Sequence, residues 1–216
     1  MGAVFAEDVR PSEEMKLRML NGSHSMLAYA GFLAGHRHVN DVMRDHALAQ
    51  LVRRYLTAAA RTLPPAPGVD LPAYADALVA RFETPHLAHH TYQIGMDGTR
   101  NLPQRIVAPA IAARLQSLDA YALATAAWMR YVTGRTEAGA PYALRAPRED
   151  ALPAAAQGAK SATALAQALI GLPGLFPAPL REDALWTRAV TDRPKILLER
   201  GMAAAIAREA VGLDDA

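Results

Sequence analysis

The sequence predicts an all-α fold. Helical periodicity of apolar residues runs through almost its whole length, and no stretch alternates apolar and polar residues with the β-branched enrichment of a strand. With 216 residues, 51% of them hydrophobic, the chain can bury a proper core as one domain or as two small ones. Ser12, set before Glu13 and Glu14, predicts the start of a first helix running to about Gly35. Asn40 caps a second helix through "VMRDHALAQLVRRYLTAAARTL", stopped by Pro64 and Pro65. "LPAYADALVARFE" is a third, opening at Pro72 and ending before Pro85. "HLAHHTYQIG" is a fourth, interrupted by "MDGTRNLPQR", and Pro103 suits the first turn of a fifth, "QRIVAPAIAARLQSL". "DAYALATAAWMRYVTG" is a sixth, closed by Gly134. "AQGAKSATALAQALIG", "EDALWTRAVTD" and "KILLERGMAAAIAREAVG" complete the set. The proline-rich stretches 64–72 and 141–153 read as loops between helices rather than as domain linkers, and no fixed-period repeat is present.

Composition excludes several classes of function. No apolar run reaches the roughly 18 to 20 residues that a membrane helix needs. The N-terminus lacks the basic and apolar regions of a secretory signal, so a cytoplasmic protein is expected. Without cysteine there is no disulfide, thiolate metal site or cysteine nucleophile. A net charge of +2 with no run of Lys and Arg gives no footprint for nucleic acid. Neither G-x-G-x-x-G nor G-x-x-x-x-G-K-S/T occurs, so no cofactor-binding cradle is recognisable. "GFLAG", Gly31 to Gly35, is read as letting a neighbouring helix approach closely.

One stretch carries more than packing. "KLRMLNGSHSMLAYAGFLAG", residues 16 to 35, is amphipathic but includes Lys16, Asn21 and His24, where good helix formers would serve a solvated face. Asn21-Gly22 is a poor helix pair, costing about 1 kcal/mol or more against alanine. Of 23 basic residues only Lys16, Lys160 and Lys195 are lysines, and lysine can lose its proton near neutral pH where arginine cannot. Asn21 and His24 share a helical face, about 60° apart, whereas Lys16 lies about 80° round from His24 and roughly 12 Å along a straight axis. A kink at Asn21-Gly22 or a chain-like ligand is needed to unite the three.

The pattern K-x-R-x-L-N-x-x-H-S-x-L-A-Y-x-G resembles the opening of the C-terminal domain of the mannitol dehydrogenase family, the polyol-specific long-chain dehydrogenases such as mannitol 2-dehydrogenase and fructuronate reductase. "RFETPHLAHHTYQIGMDGTRNLPQRI", residues 81 to 106, resembles that domain's second signature, and "FAEDVRPSEEMK" the segment leading into the lysine. The resemblance implies a multi-helix domain of the kind that closes 6-phosphogluconate dehydrogenase, independent of zinc or any other metal. It implies that Lys16 is the catalytic base in alcohol oxidation and the acid in ketone reduction, with Asn21 and His24 bonded to the reacting oxygen. A lysine starting near 10.4 must then fall about three units to act near pH 7, through burial beside a cationic ring. Arg100, Asn101 and Arg105 fall in the second signature as substrate-binding candidates, Asn101 standing where many relatives have lysine. Arg18 is a further candidate cation for a substrate carboxylate.

The resemblance also implies a Rossmann domain, binding NAD or NADP, ahead of this one. Residues 1–10 are then a remnant of the inter-domain segment and 11–216 the helical substrate-binding and catalytic domain, inactive alone. The partners expected are that domain and a small polyol or sugar acid, with no nucleic acid and no membrane. The competing function is a standalone helical interaction module without redox activity. Other polar clusters have plainer readings. Ser23 and His24 are neighbours diverging by about 100°, which excludes a nucleophile–base pair. His36, His38, His89 and His90 lack metal-ligand spacing, and Asp41 and Asp45 read as a solvated face near Arg44. Tyr29, Trp128, Tyr131 and Trp186 are assigned to the core.

Overall fold

A computed structural model describes residues 9–65, 68–86, 89–113, 117–145 and 151–211. Most of the expected inter-domain remnant, residues 1–8, and parts of the expected fourth and fifth helices (87–88 and 114–116), of the 141–153 loop (146–150) and of the C-terminus (212–216) lie outside them. Among the described residues there is no strand, only isolated bridges between His38 and His90 and between Arg135 and Pro141. The all-α class is what the chain adopts.

The first rod is continuous but not uniform. Helix α1 (Arg10–Met15) passes into a π-helical turn, π1 (Lys16–Asn21), and then into α2 (Gly22–Leu33) with helical backbone at both joints. Ser12 is not its cap: the helix opens at Arg10, with Pro11 in the first turn, where its missing N–H is harmless. The expected second helix is two. His38, not Asn40, precedes α3 (Val39–Arg44), and Asp45 breaks the run by capping α4 (His46–Ala60), its carboxylate accepting from the Ala47 and Leu48 N–H groups. Asp45 is therefore a helix cap, while Asp41 does pair with Arg44. Gly31 packs directly against Val42 of α3, whereas Gly35 meets nothing and serves its positive φ of 88°.

Helix α5 (Leu71–Glu83) begins at an Asp70 cap, and α6 is shorter than expected, Thr91–Gly95. The "DGTRNLPQR" stretch is helical rather than an interruption. Met96, extended, and Asp97, at φ 61°, make the break before α7 (Gly98–Leu102), which runs into a second π turn, π2 (Pro103–Val107), and α8 (Ala108–Ala112). Helix α9 (Leu118–Tyr131) is buried on all sides from Ala120 onward, making it the axis of the core, and Gly134 ends it at φ 67°. Tyr29, Trp128, Tyr131 and Trp186 are all buried there.

The C-terminal third departs most from expectation. Helices α10 (Ala151–Gln157) and α11 (Ala162–Ile170) are separated by a fresh Ser161 cap, and the short α12 (Ala178–Arg181) follows. In α13 (Ala184–Val211) the chain continues through Pro194 and breaks instead at Gly201, φ 81°. Glu137 fixes that break: its carboxylate accepts the Met202 N–H, and any Cβ on Gly201 would strike it. Arg193 and Arg54 bind Asp119 and Glu209, tying both halves of α13 to α9 and α4.

Gly22 shows why the poor helix pair is retained. A Cβ there would fall on the Tyr55 hydroxyl of α4 and 2.8 Å from the carbonyl oxygen of Arg105 in π2. Gly22→Ala gains about 1 kcal/mol of helix propensity but forces apart a buried crossing, an overpacking cost of about 1–3 kcal/mol with a buried hydrogen bond at stake. The variant is expected to unfold at lower urea than wild type; a higher midpoint would show the crossing to be loose.

Candidate functional site

The site is built where the two π turns meet. In π1 the Gly22 N–H reaches back to the Leu17 carbonyl, and in π2 the Ala108 N–H reaches the Pro103 carbonyl, both five residues away. In a regular α-helix Lys16 and Asn21 would stand about 140° apart. A turn closed over five residues reduces that angle and brings the two toward one side, continuing onto the face that carries His24. The widened turn thus takes the place of the kink expected at Asn21-Gly22.

Pro109 explains the other half of the crossing. It lacks the N–H that would take the Arg105 carbonyl in an α-helix, so that acceptor is open, and the buried Tyr55 hydroxyl donates to it at 2.8 Å. Burial holds the Tyr55 phenol well above its ordinary range, followed by the influence of Tyr121, so it remains a donor. The Arg105 side chain turns the other way and donates to Ser25 Oγ on α2 at 3.2 Å. Arg105 is therefore anchored at both ends, one residue from His24.

His24 is packed against the Phe82 ring of α5, centroids 4.7 Å apart, and its ring lies 6.4 Å from that of His89. Burial lowers its pKa from 6.5 to about 4, helped by the electrostatic influence of His89, Arg81 and Arg105. It is neutral at pH 7 and can donate one hydrogen bond without introducing a competing acid. Asn21 is half-buried; Lys16 is exposed, so these residues do not supply the burial expected around it. Ser23 Oγ donates back to the Met19 and Leu20 carbonyls and is no partner of His24.

The second signature divides. Arg105 joins the site, Asn101 is half-buried on α7, and Arg100 is exposed. The backbone N–H groups of Arg100 and Asn101 both bond to the Asp97 carbonyl, at 3.0 and 3.1 Å. Gly98 is needed beneath this turn because a Cβ would crowd the Tyr29 hydroxyl and the Trp128 indole nitrogen. Arg18 is committed elsewhere, donating to the Thr62 carbonyl at 2.6 Å and pairing with Glu14 at 3.1 Å. Arg81 and His89 were given no site role from sequence, since no local pattern reveals that Phe82 of α5 packs on His24 of α2. Among the described residues no group of three or more His, Asp or Glu is placed to hold a metal ion, and no helix is long and apolar enough to cross a membrane.

Residues 8–196 match the family model of the mannitol dehydrogenase C-terminal domain. The chain belongs to the mannitol dehydrogenase family. It is 42% identical over 213 residues to an uncharacterised oxidoreductase of Escherichia coli K12, YdfI, covering 97% of this chain and 44% of that protein. It is 40% identical over 208 residues to the D-mannonate oxidoreductase of the same organism, covering 93% and 42%. Pseudomonas fluorescens mannitol 2-dehydrogenase, solved with NAD and D-mannitol, superposes with a TM-score of 0.89 at 29% identity, over 98% of this chain and 43% of that one. The chain thus spans less than half the length of these relatives. The resemblance carried by the two motifs is confirmed at the level of family and fold.

The neutral His24 makes stability depend on pH. Between pH 6.5 and 4 the unfolded chain takes up a proton at this position that the folded chain does not, so stability falls as the pH falls through that window. From pH 7 to 5 the wild type is expected to lose about 2 kcal/mol more than His24→Asn, measured by urea unfolding. Equal losses in the two proteins would refute the burial of the imidazole.

Proposed function

We propose that this chain is the substrate-binding and catalytic-base domain of an NAD(P)-dependent oxidoreductase acting on a polyol or a sugar acid. One observation supports the proposal: Lys16–Asn21 is a π turn, whose five-residue closure reduces the angle between Lys16 and Asn21, and it contacts the turn that holds Arg105. In alcohol oxidation Lys16 Nζ accepts the hydroxyl proton, and Asn21 and His24 donate hydrogen bonds to the oxygen as its charge develops. Ketone reduction runs the same proton back. Arg105, with Arg100 and Asn101 earlier in the second signature, binds the substrate's remaining polar groups.

NAD or NADP would accept or return the hydride. Among the described residues no glycine-rich strand–turn–helix unit fits its pyrophosphate, so its binding is assigned to a Rossmann domain that also covers Lys16. That cover would supply the burial a lysine base needs and makes an exposed Lys16 intelligible. On this reading residues 11–216 are the catalytic unit, residues 1–10 lead from the other domain, and the protein works in the cytoplasm. Identity favours the acidic substrates, with 40% to a D-mannonate enzyme against 29% to a mannitol enzyme.

Two measurements test the proposal. The isolated chain is expected to show no micromolar affinity for NADH by calorimetry. Joined to a Rossmann domain of this family it is expected to gain oxidoreductase activity, lowered roughly 10²- to 10⁴-fold by Lys16→Ala. Lys16→Arg should do little better, because guanidinium keeps the charge but cannot take the proton. Oxidation should rise with pH as the lysine deprotonates while reduction falls. Wild-type turnover and pH dependence in Lys16→Arg would remove Lys16 from the chemistry.

A further inference from the structure

Two serines on α2 use their hydroxyls differently. Ser23 follows the common habit of a helical serine and donates back to the Met19 and Leu20 carbonyls one turn earlier. Ser25, only 2% exposed, turns instead to another element and accepts from Arg105 Nη1 at 3.2 Å, across 80 residues of sequence. Among the described residues no ion pair holds Arg105, so this neutral hydroxyl is what fixes the head of its side chain. The other end is fixed as well, since the Tyr55 hydroxyl donates to the Arg105 carbonyl at 2.8 Å. A guanidinium is a rigid planar fork of five N–H groups, and committing Nη1 sets the direction in which the rest of the fork faces. Ser25 directly follows His24 on α2, so the fork is held against the same helix that carries His24.

We propose that Ser25 is a positioning residue, whose hydroxyl directs the Arg105 guanidinium so that the rest of its fork meets the oxygens of the bound substrate. This rests on the oxidoreductase reading above, in which Arg105 binds substrate, and adds a residue to which that reading gives no part. Without the acceptor, a long side chain samples several rotamers, and each binding event must first order it. The rival role for Ser25 is packing alone, at the crossing kept close by Gly22. Packing acts on stability whether or not Arg105 is present, whereas positioning acts only through Arg105.

The test has one arm that needs no turnover and one that does. In the 216-residue chain, nitrogen nuclear magnetic resonance should show the Arg105 guanidinium slowed in its rotation about Nε–Cζ, and Ser25→Ala should free it. The chain joined to a Rossmann domain is then assayed with D-mannitol and with D-mannonate. On the compound it oxidises, Ser25→Ala should raise KM about 3- to 10-fold, the range for one hydrogen bond, with kcat nearly unchanged. Ser25→Cys should act alike, because it keeps the volume but its sulfur is a weak acceptor, which guards against a mere cavity effect. In an Arg105→Gln background, itself raised in KM, Ser25→Ala should add nothing further. An unchanged KM in Ser25→Ala, or the same rise with and without Arg105, would overturn the proposal. Release of Arg105 by Ser25→Ala without turnover of either compound keeps Ser25 as its anchor and defeats the oxidoreductase reading. Turnover by a protein whose Arg105 already rotates freely does the reverse.

Discussion

The hydrogen bond from the buried Tyr55 hydroxyl to the Arg105 carbonyl is the joint on which the rest of the site depends. It exists because Pro109 removes the backbone donor that would otherwise occupy that carbonyl, and it is reachable because Gly22 has no side chain. Three elements remote in sequence, α2, α4 and π2, are thereby held at one crossing. Arg105 then has a fixed backbone, which lets its side chain be directed at Ser25 rather than left to solvent. The two π turns flank the same crossing, so the polar residues they carry inherit its geometry.

The division between core and site follows from this. Helix α9 and the aromatic side chains packed on α2 provide a rigid apolar floor, with Tyr29 and Trp128 reaching the glycine of the Asp97 turn from below. The site residues sit on helices rather than on loops, which limits their freedom more than a loop would. What the floor does not provide is a cover, since Lys16, Arg81 and His89 remain open to solvent. The base role proposed for Lys16 needs a cover that the described residues do not supply.

Sequence made some of this legible and not the rest, for a physical reason. Elements ended by local chemistry were readable: Pro64 and Pro65 after α4, Gly134 after α9, and the bounds of α5 nearly to the residue. The all-α class followed from periodicity alone. Asp45, Ser161 and Gly201 were missed as boundaries because a cap competes with a helix that the periodic pattern also permits. The two helices expected on either side of residues 193–194 are instead one, continuous through Pro194 as far as Gly201. At the site, the oddness of Asn21-Gly22 was visible while its cause was not, since Tyr55 and Arg105 lie 33 and 83 residues beyond Gly22. Sequence distance likewise concealed that Phe82 of α5 packs on His24.

A turn closed over five residues contains one residue more than a turn closed over four. The rod from Arg10 to Leu33 can therefore be viewed as a regular helix bearing a single inserted residue between Lys16 and Asn21. Removing one residue there would let the rod relax to uniform hydrogen bonding at no loss of helix. Lys16 would then stand four residues before Asn21, about 40° away, and seven before His24, about 20° away, so it would keep its face. The widened turn thus absorbs the extra residue locally and leaves the direction of Lys16 unchanged. One residue added to a uniform stretch of the rod, with no such turn to absorb it, would instead swing Lys16 by about 100° away from Asn21 and His24.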